Sequence, residues 1–315
     1  MTPNTKYGLL TLLAAMWLLT GCFHEPPKSC SPRTNTTIYF MLHDQAGNDI
    51  FPATAEHVEL FVYDDLGRQV SHSTISQSEL NLFAGKRLRL QPGNYTVVAW
   101  ANATATRTRF FTNENAHWLD RTNNYLVNAI ALGGAVEDGD PLYYAPTSQS
   151  MPLTITVPPE GAVEAIAGFR NAHIKVEVTV EGYDYFSTRA AADPLKIELT
   201  EITSRYGFGM ETHGDRVSYI RYALNTDPEH KIFNTAFNLP VFDRNTATHI
   251  LVTNKDGRLI VPKISLKEIL KDRIEIEKML YLPIRIKFTE ENGLLQVAIT
   301  VDLPEWGEDI VKPTI

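Results

Sequence analysis

Apolar and polar residues alternate with a period of two along most of this chain. Ile38, Phe40 and Leu42 alternate with Thr37, Tyr39 and Met41. Val58, Leu60 and Val62 alternate with Glu59, Phe61 and Tyr63. That spacing sends successive side chains to opposite faces of an extended chain and predicts strands. Asp64-Asp65-Leu66-Gly67 then predicts a turn, with Gly67 free to take positive φ. Leu88 and Leu90, Pro92-Gly93, and Tyr95, Val97 and Ala99 predict a hairpin over residues 87–100, closed by a type II turn. Residues 101–150 carry a weaker pattern. Leu153, Ile155 and Val157 form one more strand, which Pro158-Pro159 stops.

The second half repeats the rhythm more cleanly. Ile174, Val176, Val178 and Val180 share one face, and Leu195, Ile197 and Leu199 share another. Residues 248–262 predict a hairpin turning at Lys255-Asp256-Gly257. Ser265 and Glu268 match a capping box ahead of one short helix, in which Leu266, Ile269 and Leu270 share a face. Leu280, Leu282, Ile284, Ile286 and Phe288 lead into the Asn292-Gly293 turn signal, and Leu295, Val297, Ile299 and Val301 return. Pro283 has no amide proton, which places its strand at an edge or a bulge. The expectation is an all-β chain of two tandem β-sandwiches, residues 37–158 and 163–315, with one short helix in the second and a join at 158–162.

The first 36 residues break this pattern. Lys6 precedes an apolar run from Leu9 to Leu19, too short to span a bilayer comfortably, so residues 1–21 read as a signal peptide. Leu19-Thr20-Gly21-Cys22 resembles the lipobox of bacterial lipoproteins. The resemblance implies cleavage between Gly21 and Cys22 and diacylglycerol and N-acyl groups on Cys22. Acyl burial contributes about 0.8 kcal/mol per CH₂, enough over three chains for near-permanent membrane attachment. A Cys22–Cys30 disulfide is the alternative; with the lipid, Cys30 is an odd thiol in an exported protein. Phe23 is not Asp, so the inner-membrane retention signal is missing and the outer membrane is favoured. Residues 22–36 are polar and proline-bearing, a flexible tether.

Charge narrows the partners. The formal net charge is -8, and loss of Lys6 with the signal makes it -9, which argues against nucleic acid. Hydrophobic content of 43% with 21% charged residues fits globular sandwiches. Catalytic signals are missing: there is no G-x-S-x-G elbow and no phosphate-cradling glycine loop. His57 and Glu59 share a strand face, but zinc needs three or four convergent ligands. Val136 to Asp140 is acidic without EF-hand spacing and reads as an exposed turn. Trp100, Trp118 and Trp306 offer aromatic surface for a sugar or, more commonly, for a core. No enzyme activity, cofactor, metal or small-molecule substrate is expected.

Several stretches together resemble the fimbrium anchoring-subunit family of Bacteroidetes. They are the lipobox, Glu59 to Gly67 with its D-x-x-G turn, Leu90 to Asn102 with P-G-x-Y and W-A-N, Arg170 to Val178, and the closing hairpin with Leu303-Pro304-Glu305-Trp306. The resemblance spans nearly the whole mature chain. It implies two transthyretin-like Greek-key sandwiches, lipid-anchored at the outer membrane through Cys22, which root a fimbrium and can limit its length. It implies contact with the first shaft subunit by β-strand addition. Two alternatives stand beside it. One is a polymerising shaft or tip fimbrillin released by proteolysis at Arg33; the other is a glycan-binding surface lipoprotein.

Overall fold

A computed structural model describes residues 34–44, 46–103, 107–111, 125–128, 135–148, 151–183, 194–243, 245–270, 276–291 and 294–301. Strands dominate it. In the first half they are β1 (Thr36–Met41), β2 (His57–Asp64), β3 (Gln69–Ser76), β4 (Gly85–Leu88), β5 (Gly93–Ala101), β6 (Thr108–Phe111), β7 (Tyr125–Asn128), β8 (Ala135–Val136), β9 (Tyr143–Tyr144), β10 (Pro146–Ser148), β11 (Met151–Val157), β12 (Val163–Gly168) and β13 (Arg170–Asn171). The second half adds β14 (His173–Glu181), β15 (Leu195–Gly207), β16 (Thr212–Asp227), β17 (Ile232–Pro240), β18 (His249–Thr253), β19 (Leu259–Ser265), β20 (Tyr281–Glu291) and β21 (Leu294–Val301).

The first sandwich faces a three-stranded sheet, β12-β1-β4, against a larger one ordered β10-β11-β5-β2-β3. Ile38 and Phe40 of β1 meet Val58, Leu60 and Val62 of β2 and Val97 of β5 in one buried core. The second half follows the path β19-β18-β15-β16-β17-β14-β20-β21. Strand β16 pairs with β15 up to Ala223 and with β17 from Leu224, so it serves both leaves. Ile197 and Leu199 on one leaf and Val176 and Val178 on the other close a second core.

Two hairpins form as their turn residues dictate. Gly67 takes φ 75°, and the Asp64 carboxylate accepts from the amides of Leu66 and Arg68 at 3.0 and 2.8 Å. Gly257 takes φ 76° between β18 and β19. β20 and β21 also pair antiparallel as expected; their Asn292-Gly293 turn lies outside the described residues.

Other expectations are corrected. Residues 87–100 are not a hairpin: β4 pairs with β1, while β5 pairs with β2, β9 and β11. Alternation fixes which face is buried, not which sheet a strand joins, and Pro92-Gly93 carries the chain from one sheet to the other. Pro283 is not at an edge, because β20 runs between β14 and β21. It sits near the start of β20, opposite Glu177 of β14, and the described pairing with β21 runs from Ile284. Strand pairing also crosses the expected join at 158–162. β12, beyond 158–162, runs parallel to β1, while β7 and β8 pair with β15 and β16 of the second half.

The helix Leu266–Leu270 is present, with Leu266 and Leu270 buried. No hydrogen bond joins Ser265 to Glu268 among the described residues; the Leu266 amide donates to the Thr248 carbonyl at 2.9 Å instead. The capping box forms in the first half, where Ser76 and Glu79 cap the helix Gln77–Leu82 from both sides. Short helices also occur at Phe51–Thr54 and Ile276–Met279. No described helix is long and apolar enough to cross a membrane.

Candidate docking edge

A sheet edge presents unpaired N–H and C=O groups to any extended chain that reaches it, and folded proteins usually blunt such edges. Among the described residues nine strands pair on one side only: β12, β4, β10, β3, β19 and β21 at the ends of the main paths, and the short β6, β8 and β13 beside them. β4 is four residues long and β10 three. β12 carries Glu164. β19 carries Pro262 and Lys263, and its register with β18 shifts twice. β3 presents Ser71 and Ser73 toward the core beside Val62 and Leu60, so its apolar rim is closed by hydroxyls.

β21 has none of these devices. Its eight residues, LLQVAITV, contain no charge and no proline. Its register with β20 places Val301 opposite Ile284, Ile299 opposite Ile286 and Val297 opposite Phe288. These partners face the core, and Val301 is buried with them. Val297 shares the face of buried Phe288 and is nonetheless 38% exposed. The helix Leu266–Leu270 touches β21 and adds Leu266 and Leu270 to the same core as Val301.

The opposite face of this hairpin is polar. Lys287 lies across from Ala298 and Thr289 across from Gln296, all four exposed. Arg285 pairs with Glu181 on β14, and Lys175 with Glu177 at 2.5 Å. The Tyr281 hydroxyl donates to Glu177 at 2.6 Å, and burial with that carboxylate pushes its pKa to about 12. These contacts pin β20 to β14, where Lys287 lies opposite Glu181 in the register.

The candidate chemical residues disperse. His57 meets the Ala103 carbonyl at 2.8 Å, while Glu59 turns to His72 at 2.7 Å and to Thr74. Among the described residues no group of three His, Cys, Asp or Glu could hold a metal. The acidic segment 136–140 is not an exposed turn at Asp138, which is buried between Arg107 and Arg221 and accepts from the amides of Gly139 and Asn238 at 2.9 Å. Burial, the largest influence, holds its carboxyl above the usual range against the pull of those partners. Two arginines and two amides satisfy the charge that a solvent shell would otherwise hold. Gly21, Cys22, Cys30, Arg33, Trp118 and Trp306 lie outside the described residues.

Trp100 is fully buried in an aromatic junction that sequence reasoning missed. Phe61 and Trp100 of the first half pack against Tyr206 and Phe208 of the second. The Tyr206 hydroxyl donates to the Ala172 carbonyl at 2.9 Å and accepts from the Val241 amide. The usable signal is that Phe61, Val98 and Trp100 fall on the nominally outer positions of β2 and β5, which demands a second apolar layer. Tyr222 on β16 is 58% exposed.

Residues 26–312 match the family model described as fimbrillin-A associated anchor proteins Mfa1 and Mfa2. Three solved structures share the fold. A candidate polysaccharide-binding protein from Bacteroides thetaiotaomicron is 16% identical with a TM-score of 0.64, covering 85% of this chain and 96% of that one. A candidate adhesin from Bacteroides ovatus is 12% identical with a TM-score of 0.66, covering 87% and 94%. The fimbrial anchor protein Mfa2 from Porphyromonas gingivalis is 17% identical with a TM-score of 0.62, covering 85% and 96%. A comparison with curated proteins found no match.

Proposed function

We propose that this chain, which belongs to the family of fimbrillin-A associated anchor proteins Mfa1 and Mfa2, roots a fimbrium at the cell surface as an outer-membrane lipoprotein. The family match over residues 26–312 carries the reading. Cleavage between Gly21 and Cys22 frees the amine that is acylated, and the Cys22 thiol takes the diacylglycerol. Residues 22–36 then tether two β-sandwiches outside the membrane. The fold binds a shaft subunit by strand addition, and the role is structural rather than enzymatic. An unblunted edge at β21 supports the contact.

Cell fractionation with Cys22→Ala tests the proposal. The variant leaves the membrane fraction and fimbriae are shed into the medium; fimbriae that stay rooted without the acylated cysteine overturn it.

A polymerising fimbrillin is distinguished by its terminus. β1 starts at Thr36, three residues beyond Arg33, so a cut at Arg33 severs the lipid and leaves every described strand in place. Mass spectrometry of the surface form reads acylated Cys22 for an anchor and Thr34 for a released subunit. A glycan reading needs an aromatic platform, and Tyr222 alone does not supply one among the described residues.

A further inference from the structure

We propose that the outer face of the β12-β1-β4 sheet rests on the lipid surface that the acylated terminus enters, with Arg87 and Arg89 on phosphate-bearing anionic headgroups and Leu82, Phe83 and Ile166 at the boundary of the acyl region. The proposal rests on the lipoprotein reading of Cys22 and names the part of the fold that faces the membrane.

The sheet sets two rows side by side on this face. Ile166, Tyr39 and Gly85 are partners across β12, β1 and β4, and Glu164, Thr37 and Arg87 form the next row. Ile38 and Phe40, between and beyond them on β1, point into the core, so both rows face outward. Gly85 leaves room for the Phe83 ring, since a Cβ there would sit 3.0 Å from it. That ring meets Tyr39 edge-on at 5.8 Å, and the Arg87 guanidinium lies 4.6 Å from its centre.

The side chains left in the open define the occupant's chemistry. Ile166 is 58% exposed, and Leu82, directly before Phe83, is 89% exposed. Leu88 and Leu90 turn inward, which sends Arg87 and Arg89 outward, both exposed. Lys86, opposite Ile38, is on the other side of the strand, near Glu79. Glu164, the carboxylate on these rows, lies two strands from Arg87 and accepts from the Tyr39 hydroxyl at 3.1 Å. In a chain of net charge -8, two exposed arginines beside exposed aliphatic and aromatic side chains make an interfacial surface, with cations for headgroups and apolar tips for the boundary. Arginine alone would serve to blunt the β4 edge, but that duty leaves Leu82 and Ile166 unaccounted for.

The path of the chain selects a membrane over other occupants. Asn35 is clamped beside the end of β4. Its backbone amide donates to the Leu88 carbonyl at 3.0 Å, its side-chain amide donates to the Leu90 carbonyl at 2.8 Å, and its side-chain carbonyl accepts from the Leu90 amide at 2.9 Å. Arg89 lies between those two partners. Asn35 follows Cys22 by thirteen residues, about 45 Å at full extension, so the acylated residue can be no further than that from this sheet. Confinement at that distance raises the effective concentration of headgroups at the arginines.

Hydrogen exchange on the mature full-length lipoprotein tests this, in vesicles of phosphatidylcholine alone and of phosphatidylcholine mixed with phosphatidylglycerol. The acyl groups hold the protein to both, so only headgroup charge differs. Backbone amides of residues 82–90 are expected to exchange several-fold more slowly on the anionic vesicles, and high salt abolishes the difference. Arg87→Glu combined with Arg89→Glu removes it. Leu82→Asn, at a side chain in open solvent, reduces it without straining the fold. Inorganic phosphate in solution leaves exchange unchanged, as a surface rather than a free-anion site requires. Slowing by inorganic phosphate, equal exchange on both vesicles, as a second copy covering the face would give, or slowing indifferent to these substitutions overturns the proposal. Flotation of the same samples keeps the two readings apart. Protein that floats with neither vesicle refutes the acylated terminus and this face with it, whereas protein that floats with both and shows no difference refutes the face alone.

Discussion

The Tyr206 ring on β15 lies 5.7 Å from the Trp100 ring on β5, inclined by 32°. Through this pair the outer face of one sandwich becomes the inner face of a layer shared with the other. Phe61 and Phe208 extend the layer at 5.1 Å, and His72 stacks on Phe61 at 4.3 Å. Trp100→Ala is expected to cost about 3–5 kcal/mol by opening a cavity in that layer. Tyr206→Phe keeps the ring and removes one acceptor and one donor, for about 1–3 kcal/mol. Denaturant titration followed by tryptophan fluorescence reads the second change directly.

Tyr63 predicts the opposite sign. Its hydroxyl is buried with no hydrogen-bond partner among the described residues, and burial pushes its pKa well above the ordinary range. Tyr63→Phe removes a desolvated group worth about 1–3 kcal/mol and is expected to leave stability unchanged or raise it. A fall of the midpoint by more than a few degrees contradicts this.

Acid sensitivity follows from His173. Burial, the largest influence, holds its imidazole below the usual histidine value, against the Leu142 carbonyl at 2.9 Å from Nδ1. That carbonyl only accepts, so Nδ1 carries the proton of the neutral ring. The unfolded ring protonates near pH 6.5 and the folded ring only at lower pH. Stability is therefore complete above about pH 6.5 and declines as pH falls toward the folded value. Melting curves between pH 7.5 and 5 should show the decline, and His173→Asn, which keeps a donor for Leu142, should flatten it.

Two glycines separate strain from crowding. Gly257 has φ 76° and nothing within 4 Å of the place a Cβ would take, so Gly257→Ala is expected to cost about 1 kcal/mol from backbone conformation alone. Gly182 has φ 72°, and a Cβ there would sit 2.6 Å from the Phe288 carbonyl oxygen. Gly182→Ala carries the same strain plus a displacement of β20, and its midpoint should fall further. Equal losses at both sites would discount the clash.

Much of the fold is legible where one residue fixes local geometry. Asp64 with Gly67 and Asn254 with Gly257 mark hairpins because side-chain acceptors and positive φ leave few alternatives. Ser76 and Glu79 spell S-x-x-E and form a capping box, while Ser265 and Glu268 have the same spelling and form no cap. Spelling supplies the donor and acceptor, and tertiary placement of the preceding strand decides whether they meet. The expected hairpin at residues 87–100 fails for a related reason: Leu88 and Tyr95 face one core from two different sheets. For the candidate edge, the apolar alternation of residues 294–301 is readable. The partial cover at Val297 is not, because it depends on where a helix from residues 266–270 comes to rest.

The excursion of β7 and β8 into the sheet of β15 and β16 has a consequence for synthesis. A ribosome that has released residue 158 has delivered those strands but not their partners, β15 beginning at Leu195 and β16 at Thr212. The halves therefore cannot mature one after the other like beads on a string. A gene fragment cut at the apparent join would strand part of one half without its neighbours, so such chains are expected to recombine in evolution as whole units.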